Sequence, residues 1–155
     1  MLAEPLERPP ISAPELVEVD VGRWLGMSWV EIQERDADRF AAFHADFGQV
    51  PYPGGESLLD VARRAVPAVA AIAEAHPGGR IAVVAHHIVN RSILGHLLGL
   101  TPSQARPLRQ ANGCINVLEF GEGAPVVATI NACLHLEGLE PSGTGAPPAP
   151  PGPRR

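Results

Sequence analysis

A chain of 155 residues is long enough for one domain with its own core, and at 45% hydrophobic and 19% charged residues it is too apolar for wholesale disorder. The formal net charge of −5, without a basic stripe, removes the electrostatic footprint of a nucleic-acid binder. No apolar run approaches the length that spans a bilayer, and MLAEPLERPP has neither the basic nor the apolar region of a secretory signal, so the expectation is a cytoplasmic protein without a membrane partner.

The first fourteen residues hold four prolines and read as an irregular connection, with a remnant of helix at 1–6. Ser28 is an N-cap candidate ahead of Trp29, Ile32, Phe40, Phe43 and Phe47, which suit one helix or a pair. The segment 48–55 (GQVPYPGG) is a loop by its glycines and prolines. Ser57 with Asp60 three residues on forms a shortened capping box, followed by Leu58, Val61, Ala65, Val69 and Ile72 at helical spacing. Pro67 is expected to bend this helix, and His76-Pro77-Gly78-Gly79 to end it.

Residues 81–85 (IAVVA) form a continuous apolar run between turn signals, which predicts a strand buried on both faces of a parallel sheet. Residues 88–100 read as a helix, then 115–120 and 125–130 as two strands joined by Gly121-Glu122-Gly123-Ala124 in a hairpin. The order argues for a layered α/β domain. Cys114 and Cys133 are too few for a disulfide framework, match no zinc spacing, and read as reduced thiols. The last stretch, 139–155, is dominated by Pro, Gly and Ala and reads as a disordered tail, leaving 1–138 as the domain.

In open α/β sheets, ligands bind beyond the carboxyl ends of the strands. His86 and His87 stand there, and the following helix would aim its free N–H groups and positive dipole end at the same place, favouring an anion such as phosphate. Arg91, one turn into that helix, is within reach of the anion or of an acidic neighbour. The competing reading, in which His86 closes a strand and Arg91 is solvated, is about equally supported by local physics. Glu18 and Asp20 alternate with valines, so both would project from one face of an extended segment. Paired carboxylates can do acid–base work, although an exposed strand face is the commoner explanation.

These pieces carry a resemblance. LVEVDVGRWLGMSW resembles a Leu-x-Glu-x-x-x-Gly-x-x-x-Gly segment, and GGESLLDVARR a Gly-Glu-Ser segment whose recurrent arginine falls on Arg64. IAVVAHHIVNR resembles a strand ending in a catalytic histidine; ILGHLLGL, QANGCINVLEF and INACLHL resemble the closing helix, strand and C-terminal turn. In this order, over 16–136, the chain is similar to the histidine phosphatase superfamily, which includes phosphoglycerate mutases and related small phosphatases. The resemblance implies a three-layer αβα sandwich and phosphoryl transfer through a phosphohistidine. It implies no cofactor or metal and a small phosphorylated metabolite as substrate. His86 matches the second catalytic histidine and Glu18 the acid–base carboxylate. Arg91 matches the arginine of the helix after that histidine, a structural or pocket-supporting position. His87 stands where the family has glycine, either adding a phosphate contact or filling space.

The nucleophile motif of the family, Arg-His-Gly on a first strand, does not occur in the sequence, and His44, His76, His96 and His135 do not replace it. The expectation is therefore a sandwich lacking its first strand–helix units, on the order of 60 residues, through a wrong start site or a disrupted gene. Such a chain would be inactive alone. The alternative is a non-catalytic phosphate-binding relic or interaction protein. Either way the edge of 81–85 would be exposed, favouring aggregation, a homo-oligomer or a borrowed strand. A metal site on His86, His87 and His135 is a weaker third reading, since adjacent strand residues point in opposite directions. The short segment between Gly26 and Gly55 favours phosphatase over mutase.

Overall fold

The computed structural model describes residues 9–138. The helical remnant expected at 1–6 and the tail at 139–155 lie outside the described residues. Five α-helices and one hairpin follow in chain order: α1 (Trp29–Arg35), α2 (Ala37–Ala45), α3 (Leu58–Glu74), α4 (His87–Leu97), α5 (Pro102–Ala105), β1 (Ile115–Glu119) and β2 (Val126–Ala132). Single 3-10 turns stand at Pro14–Leu16, Gly22–Trp24 and Leu134–Leu136.

The longest helix explains the core. α3 starts at a complete capping box: the Ser57 hydroxyl accepts from the Asp60 N–H at 3.1 Å, and the Asp60 carboxylate accepts from the Ser57 N–H at 3.0 Å. Its buried face, Leu58, Val61, Ala65 and Val69, packs along α4 through Val89 and Ile93. Pro67 lies on the exposed side of α3, where the Arg63 carbonyl that loses its donor faces water. Ser57→Ala removes the cap and is expected to cost ~1 kcal/mol, measured as a shift in urea midpoint at unchanged slope.

α1 and α2 meet at Asp36, which ends one helix, begins the next, and accepts from Trp24 Nε1 at 3.0 Å. Trp24 stands edge-on to Trp29, Phe43 and Tyr52, with centroids 6.2, 5.3 and 5.7 Å away. Such edge-to-face arrangements set negative ring faces against positive edges. They bind the α1–α2 pair to the loop that precedes α3. At the other end, Gly95 lets α5 approach α4; a Cβ there would stand 2.7 Å from the Ala105 Cβ.

The strand expected at 81–85 is not formed as a ladder. The segment has no regular structure, makes no backbone hydrogen bond to another described residue, and leaves Ile81, Val83 and Val84 43%, 44% and 76% exposed. The apolar run predicted a strand from composition alone, but burial on both faces needs neighbouring strands and covering helices. Among the described residues the only sheet is the antiparallel pair β1–β2. In place of the expected three-layer sandwich, the described residues form helices and one hairpin. Val84→Lys should leave the unfolding midpoint within ~0.5 kcal/mol, since the side chain is already in water. It should also lower the self-association of the protein in sedimentation velocity, because a charge on an open strand blocks edge pairing.

Candidate active site

The polypeptide from Glu15 to Gly22 reaches the site by being laced to the loop before α3. The Glu56 N–H donates to the Asp20 carbonyl at 2.9 Å, and the Asp20 N–H donates to Glu56 Oε2 at 3.0 Å. Arg23 N–H donates to the Pro53 carbonyl at 2.9 Å. The two backbones come so close that side chains are excluded. A Cβ on Gly55 would stand 2.1 Å from the Asp20 carbonyl oxygen, and one on Gly22, itself at φ +53°, 2.3 Å from that of Pro53.

Arg64, two turns into α3, fastens this arrangement. Its Nε and Nη2 grip Glu56 Oε1 and Oε2 at 2.7 and 2.9 Å, while Nη1 and Nη2 donate to the carbonyls of Glu15 and Glu18 at 2.5 and 3.3 Å. The pair is three-quarters buried or more, with side chains 21% and 25% exposed. Arg64 holds the Glu56 carboxyl below the usual carboxylate range, chiefly by this hydrogen bonding.

The two carboxylates of the 18–20 segment take different tasks. Asp20 accepts from the Gly22 N–H at 2.8 Å and closes a turn, whereas half-buried Glu18 accepts from the Val19 N–H at 2.9 Å and lies in the electrostatic field of His87, Arg91 and Tyr52. Within α4, Arg91 Nη2 donates to His87 Nε2 at 2.6 Å, one turn apart, and Arg91 Nε donates to the Leu108 carbonyl at 3.2 Å. An arginine has no acceptor, so His87 accepts with Nε2 and carries its proton on Nδ1. Burial, then the Arg91 charge, lowers the His87 pKa against a smaller opposing pull from Glu18. Burial pushes the Tyr52 phenol up to about 12, with Glu18 adding to it and Arg91 opposing. Arg91 is itself lowered, first by burial and then by the neighbouring Arg106 guanidinium.

His86 is exposed, extended at φ −101° and ψ 167°, and forms the N-cap of α4 without a side-chain bond to the helix. The structure therefore brings together Glu18, His87 and Arg91 and adds Tyr52. It sets His86 beside them at the helix start without a hydrogen bond to any. Tyr52 was hidden in a loop-like sequence, and Glu56 carried no sign of its bidentate role beyond the arginine eight residues later. The i, i+4 spacing of His87 and Arg91 was the legible signal for their pairing. His135 is elsewhere, its Nε2 donating to the Gly113 carbonyl at 2.9 Å. Among the described residues no group of three His, Cys, Asp or Glu side chains could hold a metal ion, and no helix is long and apolar enough to cross a membrane.

The sequence pattern of the Histidine phosphatase superfamily (branch 1) matches residues 1–133, and the chain belongs to that family. Among curated proteins it is 31% identical over 130 residues to a metal-independent phosphoserine phosphatase of Arabidopsis thaliana, covering 83% of this chain and 53% of that protein. It is 27% identical over 126 residues to phosphoserine phosphatase 1 of Hydrogenobacter thermophilus, covering 81% and 60%. Of solved structures, Bacillus stearothermophilus YhfR superposes with a TM-score of 0.73 at 25% identity, over 81% of this chain and 62% of that one. A mycobacterial glucosyl-3-phosphoglycerate phosphatase holding inorganic phosphate gives 0.71 at 26% identity, over 84% and 69%. These likenesses establish the histidine phosphatase fold for the helical frame. The chain spans 53–60% of the length of these two curated relatives.

Proposed function

We propose that this chain carries the second-histidine and acid–base half of a phosphomonoester hydrolase working through a phosphohistidine, with a small phosphorylated metabolite as substrate. The observation that supports it most is that Glu18 lies within electrostatic reach of the half-buried His87–Arg91 pair, on the helix that His86 caps. Uncapped amides of an 11-residue helix and a nearby guanidinium suit a phosphate dianion. In this reading His86 donates to the phosphoryl oxygens as charge develops. Glu18 delivers the proton to the leaving oxygen, and His87 and Arg91 support the pocket from behind. The two curated relatives and the phosphate-bound mycobacterial structure are phosphatases by name, which favours hydrolysis over mutase chemistry.

The nucleophile is to be supplied by an Arg-His-Gly strand encoded upstream, which would pair with 81–85 and cover Ile81, Val83 and Val84. The test is p-nitrophenyl phosphate hydrolysis by this chain beside a version extended upstream in frame. Turnover by the extended protein alone supports the proposal; turnover by the short chain that survives His86→Ala overturns it. A second reading, a phosphate-binding relic, predicts inorganic phosphate binding by calorimetry and no turnover by either version.

A further inference from the structure

Cys114 and Cys133 lie one residue beyond the end of the β1–β2 ladder, and the ladder places them opposite one another. The register shifts between Ile115 and Val117, and the terminal Cα partners beyond that shift are Ile115 and Ala132, so the next pair outward from them is Cys114 and Cys133. Directly opposed residues of an antiparallel pair have Cα atoms about 4.5–5.5 Å apart, inside the range that a disulfide spans. Two further ties hold this mouth of the hairpin shut. Asn131, at φ 53°, turns its Oδ1 to accept from the Ala111 N–H at 2.7 Å. His135 Nε2 donates to the Gly113 carbonyl at 2.9 Å. Both cysteines are free and half-buried, and their thiols make only weak bonds: Cys114 donates to Gln110 Oε1 at 3.6 Å and accepts from Asn116 Nδ2 at 4.0 Å, and Cys133 donates to the Asn131 carbonyl at 3.3 Å.

We propose that Cys114 and Cys133 are a redox pair, closing on exposure to a low-molecular-weight disulfide into an intramolecular cross-link that staples the mouth of the hairpin. The balance is simple. One cysteine thiolate attacks a sulfur of the oxidant and expels one thiol. The other cysteine, losing its proton, attacks the mixed disulfide and expels the second thiol, so the two electrons lost by the protein reduce the reagent to two thiols. Burial, then the neighbouring Cys133, pushes the Cys114 thiol up. The staple fixes the turn running back through Gln110 to Leu108, the carbonyl on which Arg91 leans.

The test uses the full chain equilibrated in oxidised glutathione, then alkylated and weighed intact, with its melting point taken beside the dithiothreitol-treated protein. Expected are a monomer lighter by two hydrogens, no alkylated thiol, and a melting point raised by several degrees, since closing a loop of this size constrains the unfolded chain. Cys114→Ser and Cys133→Ser should each take up one glutathione and show no such rise. Two glutathiones per chain, two alkylated thiols, or cross-links only between chains would overturn the pairing. None of these readouts depends on phosphate binding or turnover, so the cysteine pair stands or falls apart from the proposed chemistry.

Discussion

His86→Ala is expected to lower phosphomonoester hydrolysis by the upstream-extended protein about 10³-fold while leaving its unfolding midpoint nearly unchanged. The stability half of this expectation comes from placement. The His86 side chain is exposed, caps α4 without a bond to it, and belongs to no buried cluster, so its removal opens no cavity and strands no partner. The rate half comes from the helix start. A donor fixed at the first amides of α4 meets charge as it accumulates on the phosphoryl oxygens, and losing it raises the barrier rather than weakening ground-state binding. Steady-state kinetics should therefore show the loss mainly in kcat. His87→Ala should behave in the opposite way. His87 is half-buried against Arg91, so its loss should cost ~1 kcal/mol of stability and loosen inorganic phosphate binding before it affects kcat. If the two substitutions exchange these signatures, the roles of the adjacent histidines are reversed.

The neighbourhood of those histidines shows what a single sequence makes legible. Ser28 as an N-cap, and Ser57 with its acidic partner three residues on, announced two helix starts, because a cap is a local device. The apolar spacing of α3 and the glycine turn of the hairpin were equally local, and the observed β1 and β2 fall within about two residues of their expected bounds. Residues 81–85 misled on burial for the opposite reason. Their composition reports the surroundings of a strand inside a sheet, and those surroundings are not supplied by any described residue. At the candidate site, composition, order and the family resemblance singled out Glu18, His86, His87 and Arg91. They did not show that His87 rather than His86 faces Arg91, since that depends on where α4 begins. Nor did they single out Tyr52, whose ring is buried by Trp24 and Phe43 from other segments.

Arg64→Ala is expected to destabilise the protein by about 2–4 kcal/mol, the largest effect of any single substitution away from the hydrophobic core. One guanidinium satisfies both oxygens of Glu56 and the carbonyls of Glu15 and Glu18. Deleting it leaves a mostly buried carboxylate unpaired and unties the segment that carries Glu18. Arg64→Lys keeps the charge but cannot make two parallel bonds to Glu56 while also reaching both carbonyls, so it should recover less than half of the loss. The pH dependence separates the ion pair from packing. The Glu56 pKa is depressed in the folded state, so the stability it contributes is fully present above its unfolded value near 4.3 and is lost as pH falls through the lower folded value. Urea denaturation of the native protein should thus weaken along this acid limb. In Arg64→Ala the Glu56 contribution to that limb should vanish or reverse, because an unpaired buried carboxylate gains from protonation. A limb of unchanged steepness would show that the pair does not hold the segment. In the extended protein the same substitution should also reduce turnover. Glu18, released from its carbonyl tether, then spends less time oriented toward the start of α4, and that second loss should survive at temperatures where the variant is fully folded.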